Sequence, residues 1–209
     1  MITCEEIYDL HTTGALESAL CEAYREIPLD SRNSMRKNDT PLHMACAFAD
    51  ENAVRILLER GADVNVRNDD GDTPLCVLAK RKCCGKETTI AGIAGLLVSK
   101  EARVPRSGKN TTALIEAVGN RHFLMADILL MSGCRIDSTN SNGDNVLHVI
   151  CQSAGGIAYD IKRTKERIAD FSERWYSEKD KREAYENMEY LEEAGRQCFL
   201  TAKRILENG

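Results

Sequence analysis

The sequence predicts an all-α solenoid, in which helix-turn-helix units stack on one another along a single axis. Three observations support this fold class. A segment of 33 residues recurs along the chain, apolar residues follow helical spacing, and turn-forming residues recur at fixed offsets. One such unit is too small to bury its own apolar face, so neighbouring units must pack together.

The repeating unit is clearest in residues 40–72. Pro41 suits the first position of a helix, where a missing N–H costs little. The apolar residues between Ala53 and Leu58 follow helical spacing, and Gly61 suits the left-handed position that often ends a helix. Asp69–Asp72 reads DDGD, which is a turn signal. Each unit is therefore predicted to contain a turn, a short helix and a longer helix.

The motif T-P-L-H-x-A is complete at residues 40–45, and it is followed by GADVN at 61–65 and NDDGDTPL at 68–75. These motifs resemble the ankyrin repeat. The resemblance covers residues 1–155 and 198–209, and it implies β-turn or hairpin tips between units and a role in binding another protein.

His43 and His148 occupy the same position of the repeat. Each imidazole could be a metal ligand or a general base. The preferred interpretation is structural: the ring bonds the nearby Thr hydroxyl and a backbone group of the adjacent turn. The corresponding residues Cys76 and Ile115 cannot make that link, so we expect packing to hold those units.

Five units are expected within a single domain. Residues 1–39 form a degenerate N-terminal cap repeat, with a capping-box pattern at Thr3–Glu6 and a polar outer face. Three units follow at 40–72, 73–111 and 112–144. The fifth unit, 145–209, ends in RILENG, similar to the RILLERG that ends at Gly61. We refer to them as the first to fifth repeats.

Two repeats carry insertions between their helices, and both insertions should emerge on one edge of the stack. The third repeat has a short insertion around residues 82–88, if Glu101 takes the place that Gly61 has in the second repeat. The fifth has a long one, at about 155–198, which is predicted to be helical. Its apolar and small residues form two helical seams: Ile157, Ile161, Thr164, Ile168, Phe171 and Trp175, then Ala184, Met188, Leu191, Gly195, Cys198, Ala202 and Ile205.

The simplest structure for the long insertion is an antiparallel, coiled-coil-like helical hairpin over residues 157–200, with the polar segment 176–183 as its connection. Its returning helix should run directly into the second helix of the fifth repeat. The hairpin could be a self-contained appendage, an arm for partner binding or self-association, or a disordered segment.

Composition and charge exclude several classes of function. The net charge is −5, and no block of like charge suggests a nucleic-acid partner. No apolar run approaches the ~18 residues of a membrane span, and the acidic N-terminus is unlike a secretory signal. The nine cysteines are expected to be reduced thiols in the cytoplasm. Export as an effector without a classical signal remains open.

The sequence provides no catalytic site, metal site or cofactor site. Cys76, Cys83 and Cys84 have neither a second cysteine pair nor a histidine at ligand spacing. Residues 108–112 lack the spacing of a phosphate-binding loop. An enzyme is therefore not expected.

In proteins that the repeat resembles, contacts come from the turn tips and from the exposed end of each first helix. The residues at those places are Asp69, Asp70, Asp72, Lys80, Arg81, Lys109, Asn120, Ser141, Asn142, Asp144, Gln152 and Ser153. Phe48 holds the matching position in the second repeat, where it is expected to be a large apolar group facing water. The acidic tip lies beside four basic residues, Lys80, Arg81, Arg106 and Lys109. This uneven charge either marks a solvated surface or indicates a partner that carries charges of both signs.

These features together predict a non-catalytic interaction module or adaptor that binds another protein on its concave surface. The first alternative is a self-associating scaffold driven by the inserted hairpin. The second is an enzyme or metal protein that uses the cysteines.

Overall fold

The computed structural model describes residues 2–82, 86–102, 112–169 and 177–207, and in these ranges it contains ten helices. In chain order they are α1 (Cys4–Thr12), α2 (Glu17–Glu26), α3 (Pro41–Phe48), α4 (Glu51–Glu59), α5 (Pro74–Ala79), α6 (Glu87–Ser99), α7 (Ala113–Gly119), α8 (Phe123–Met131), α9 (Val146–Ala169) and α10 (Glu178–Glu207).

The first helices of the repeats begin at capping residues that the sequence repeats. The Thr73 and Thr112 hydroxyls accept hydrogen bonds from the backbone N–H groups three residues later. Thr3 and Glu6 form the predicted capping box at α1. Pro41 and Pro74 occupy the first turns of α3 and α5, where the ring replaces an N–H that has no partner within the helix.

The second helices α4, α6 and α8 end in a shared backbone geometry. Gly61 and Gly133 have φ values of +89° and +77°, and Glu101 adopts the same left-handed conformation with φ +60°. After each, the next N–H returns to a carbonyl of the last helical turn: Ala62 to Leu57 at 2.9 Å, Ala102 to Leu97 at 3.0 Å. Glu101 therefore takes the place of Gly61, as the sequence indicated.

The helices form two layers. The odd-numbered helices α1, α3, α5, α7 and α9 contact one another in sequence along one layer, and the even-numbered helices do the same in the other. Both layers contribute fully buried apolar side chains, such as Leu42, Leu75 and Leu114 from the first layer and Leu57 and Leu129 from the second. Their burial is the main stabilising contribution to the stack.

The segment predicted to be a long insertion lies largely within two long helices. α9 runs unbroken from Val146 to Ala169, and α10 runs unbroken from Glu178 to Glu207. The returning helix is therefore continuous with the predicted second helix of the fifth repeat, and the outgoing helix is continuous with its predicted first helix. The segment 176–183, predicted to be the connection, lies largely within α10, because a polar sequence without proline can continue a helix. Residues 170–176, with Phe171 and Trp175, lie outside the described ranges.

α9 and α10 pack against each other in antiparallel directions. Cys198 Sγ lies 3.8 Å from the Ile150 carbonyl, and the Asn187 amide lies 3.4 Å from the Thr164 hydroxyl. Between these contacts Gly195 approaches Ile157, where a Cβ atom would meet its side chain at 3.6 Å. The predicted seam residues Ile157, Thr164, Leu191 and Ile205 are buried. The sequence missed Thr201, which is also buried and bonds Asp127 of α8.

Candidate partner-binding surface

The turn tips are closed by asparagine side chains. In the tips 68–72 and 140–144, the first Asn side-chain oxygen accepts backbone N–H bonds from the second and fourth residues after it, at 2.9–3.1 Å. The first and last residues of each tip also pair through their backbones. Lys109 and Arg106, expected in the tip between these two, lie outside the described ranges.

The acidic tip of the second repeat is bound to the tip before it. The Asp69 carboxylate accepts from the Asn38 amide at 2.8 Å, and the Asp69 N–H donates to the Lys37 carbonyl at 2.8 Å. Lys37 also forms an ion pair with Asp70. Both aspartates remain exposed. Asp70 thus pairs with Lys37 of the preceding tip, whereas Lys80 of the downstream basic group pairs with Asp72.

Asp72 differs from Asp69 and Asp70, because it is buried. The expectation that it is an exposed contact residue is therefore corrected. Only 3% of the residue is exposed. Its carboxylate binds the Lys80 ammonium at 2.6 Å, and its carbonyl accepts from His43 at 2.9 Å. Because the residue is buried and its Oδ2, carbonyl and N–H are bonded within the stack, Asp72 has a structural role, and Lys80 is attached to it.

The residues at the end of each first helix bind the preceding repeat. Arg81, Asn120 and Ser153 each occupy the ninth position of their repeat. Arg81 donates to the Ala47 carbonyl, Asn120 to the Ala79 carbonyl at 3.1 Å, and Ser153 to the Val118 carbonyl at 3.1 Å. They satisfy carbonyls at the C-termini of first helices, which have no partner within the helix.

Phe48 holds the ninth position in the second repeat, and it too contacts the repeat before it. Its ring stacks on His11 with centroids 4.1 Å apart and lies 5.7 Å from the Tyr8 ring. The side chain is half-buried. The expectation of a large apolar group facing water is therefore corrected, because the first repeat supplies an aromatic neighbour.

The sequence missed Met35, which is 86% exposed at the first tip. This tip spans residues 33–39 and is two residues longer than the tip 68–72. Ser34 bonds Glu5, and the Arg36 guanidinium lies 4.6 Å from the Tyr8 ring centroid. These contacts hold the tip in place and leave Met35 as its projecting apolar side chain. The extra length was the signal available in the sequence.

The exposed side chains along this edge define what we call the turn-tip surface. Its members are Met35, Lys37, Asp69, Asp70, Ser141, Asn142 and Gln152. Asp144, half-buried, lies beneath the fourth tip and accepts from the Asn140 amide at 3.2 Å. The surface combines one apolar group, the Lys37–Asp70 ion pair, the Asp69 carboxylate and neutral polar groups. Such a mixture can bind the polar rim and one apolar side chain of a protein partner.

Four of the described cysteines are poor nucleophiles because they are shielded from solvent. Burial raises the pKa of the Cys46 thiol far above its ordinary value, and burial raises that of Cys134 to about 11. Burial also raises the pKa of Cys76 and Cys198. Since the thiolate is the reactive form, these positions do not suit catalysis. Among the described residues, no group of three or more His, Cys, Asp or Glu side chains could hold a metal ion.

No helix in the described ranges is both long enough and apolar enough to cross a membrane.

Comparison with known proteins agrees with the geometry of the repeats. The family model for the ankyrin repeat matches residues 37–69. The Ankyrin repeat-containing protein P1E11.10 of Schizosaccharomyces pombe is 34% identical over 68 residues, which are 29% of this chain and 33% of that protein. The human Ankyrin repeat and SOCS box protein 16 is 31% identical over 118 residues, or 55% of this chain and 24% of that protein.

A third relative is the E3 ubiquitin-protein ligase KEG of Arabidopsis thaliana, which is 32% identical over 108 residues, or 49% of this chain and 6% of that protein. The matches thus span a third or less of the length of each of these relatives.

Proposed function

The chain is an ankyrin repeat protein, and we propose that it acts as a non-catalytic module or adaptor that binds another protein through its turn-tip surface. Ankyrin repeats are generally modules for protein–protein interaction. The observation that carries the proposal is the edge formed by the described tips, whose turns are closed by hydrogen bonds within the chain while Met35, Asp69 and Asp70 remain exposed.

Preorganisation favours recognition at this edge. A partner that docks on a fixed surface does not bear the entropic cost of ordering the tips, so more of the contact energy appears as affinity. The Asn-closed turns and the bonds between the first two tips provide that rigidity. The Asn68 amide bonds the Asp39 carboxylate at 2.8 Å beneath the surface, where both residues are buried.

The mixed charge of the edge defines the kind of partner. The Lys37–Asp70 pair offers a cation and an anion side by side, and Met35 offers a flexible apolar side chain. A protein with an apolar anchor and charges of both signs fits this surface better than nucleic acid, which presents one sign of charge. We place this role in a reducing compartment such as the cytoplasm.

The experiment is capture of partners from the native cell by the wild-type chain and by the double variant Met35→Asp, Asp70→Lys. Both side chains are exposed, so circular dichroism and melting temperature should be unchanged. A partner that binds this edge should be lost or weakened at least about tenfold.

The matched control is Met131→Asp. Met131 is also a highly exposed methionine, but it lies at the end of α8, a second helix, and belongs to none of the tips. It should leave capture unchanged. Equal capture by the wild type and the double variant would show that the partner uses another surface.

A further inference from the structure

The fifth repeat has a face that is covered in the repeats before it. Leu42, Leu75 and Leu114 occupy the third position of their repeats and are at most 1% exposed, with the next first helix packed against each of their helices. Leu147 occupies the same position and is 37% exposed. His43 is fully buried, whereas its counterpart His148 is exposed.

The same difference holds one helical turn further along. Cys46, Ala79 and Val118 are fully buried at the seventh position of their repeats, and Cys151 at that position is exposed. The fifth repeat therefore keeps the residue types of an internal repeat on a face that the described part of the chain leaves open to solvent.

α10 adds two large apolar side chains to this face. Phe199 is 70% exposed, and Leu206, two turns further along α10, is also largely exposed. Between α9 and α10 lies an apolar groove of about 280 Å³. Small side chains dominate its walls, which include Cys151, Ala154, Ala158, Gly195, Phe199 and Ala202. Leu147, Cys151, Phe199, Leu206 and the groove together are called the open face.

The opposite end of the stack has a different chemistry. On α1 and α2 the exposed residues are mainly acidic: Glu6, Asp9, Glu17, Glu22 and Glu26. Stacking this end on the open face of another copy would place carboxylates against an apolar groove, which costs their hydration without offering partners. The open face therefore fits an apolar surface like itself.

We propose that two copies of this chain associate through the open faces of their fifth repeats in a closed two-fold dimer. The face carries both a projecting ring, Phe199, and a groove lined by small residues. A two-fold axis places each ring over the groove of the other copy, which satisfies the self-complementarity that such an interface requires. This surface is separate from the turn-tip surface, so the dimer does not depend on the function proposed above.

The area of the open face determines how strongly two copies are expected to associate. From Leu147 to Ile161 it is about 20 Å long at ~1.5 Å per residue, and two helices of ~10 Å diameter make it about 20 Å wide. This footprint of roughly 400 Å² is smaller than the ~800 Å² per partner of a stable complex. We therefore expect a reversible dimer that dissociates at micromolar concentrations.

Sedimentation equilibrium of the 209-residue chain tests the proposal over about 1 to 100 μM, the range that suits an interface of this area. The wild type should pass from monomer to dimer. Phe199→Glu should weaken dimerisation roughly thirtyfold or more, because it removes a central aromatic anchor. Leu16→Glu is the matched control, since Leu16 is 78% exposed at the other end of the stack, and it should not change the equilibrium.

Alkylation of Cys151, followed by mass spectrometry of its peptide, gives a second readout. The thiol should react more slowly at concentrations where the wild type is dimeric, and Phe199→Glu should abolish this protection. If Phe199→Glu loses its helical circular dichroism, Leu206→Glu replaces it.

Three results would overturn the proposal. They are a wild type that stays monomeric throughout the range, a dimer that both open-face variants leave intact, and a species that grows beyond the dimer with concentration. The last would indicate head-to-tail stacking.

Discussion

His43 Nε2 donates a hydrogen bond to the carbonyl oxygen of Asp72 across a distance of 2.9 Å. The other ring nitrogen, Nδ1, accepts from the Thr40 N–H at 3.2 Å. One buried imidazole thus joins the start of α3 to the turn that opens the third repeat. His148 makes only the bond at the start of its own helix, where its Nδ1 lies 2.8 Å from the side-chain oxygen of Asn145.

His43→Ala is expected to lower the free energy of unfolding by about 1–3 kcal/mol, because buried polar groups lose their partner. Urea denaturation at neutral pH measures the difference. His148→Ala is the control at the same repeat position, and its exposed side chain should contribute less than about 0.5 kcal/mol. Equal stability of the two variants would contradict the structural role of His43.

Stability should also fall in mild acid. Burial lowers the pKa of His43 and of His11 below the ordinary value of 6.5, although the Asp72 carbonyl and Asp50 respectively oppose the shift. The unfolded chain then binds protons before the folded chain does. The contribution of each histidine is complete above pH 6.5 and is lost as the pH falls from there toward the lower folded pKa.

Melting temperatures between about pH 7.5 and 5.5 measure this effect, whose slope is at most about 1.4 kcal/mol per pH unit for each histidine. His43→Ala should show a shallower decline than the wild type. If the wild type and His43→Ala lose stability at the same rate as the pH falls, the pKa of His43 is the same in the folded and the unfolded chain.

Phe48→Ala is expected to reduce stability by about 1–2 kcal/mol, because it removes a half-buried ring stacked on His11. Met35→Ala, at a strongly exposed tip residue, should have almost no effect on unfolding. Chemical denaturation of both variants provides the comparison. If Phe48→Ala unfolds like the wild type, its ring does not help to hold the first repeat.

Removal of the distal parts of α9 and α10 should leave the stack folded. Ile157 lies close to Gly195, so a short Gly-Ser link can replace Ala158–Gln197. The repeat-proximal residues Cys198, Thr201 and Ile205 stay buried against their neighbours. A cooperative melt with native-like helical circular dichroism is the expected result. A truncated chain that does not fold would show that the stack needs these segments.

Leu191→Asp is a companion to the truncation. Leu191 is buried in the seam between the two helices. The charge should accelerate amide hydrogen exchange in residues 158–197 and leave α7 and α8 protected. Faster exchange in α7 would indicate that the insertion supports the repeats.

The layered fold was predictable because its signals are local. Thr40, Pro41 and Gly61 specify helix ends through their own backbone preferences. Even Glu101 could be assigned by register, although a glutamate there has no intrinsic preference for the left-handed conformation that the neighbouring backbone imposes.

The role of the predicted contact residues was less predictable, because it depends on neighbours distant in sequence. Arg81, Asn120 and Ser153 have unlike side chains, and only the stack shows that each donates to a carbonyl of the preceding repeat. Phe48 acquires its aromatic neighbour from the degenerate first repeat. Polar character alone did not separate exposed Asp70 from buried Asp72.

The unbroken course of α10 gives the molecule a mechanical property. Its 30 residues form a rod of about 45 Å at ~1.5 Å per residue, without a joint between the extension and the repeat. Near its C-terminal end, Thr201 and Arg204 are both attached to Asp127 of α8. A sideways pull on the far end of the rod is therefore transmitted as torque about Asp127, and the extension acts as a lever on the fourth repeat.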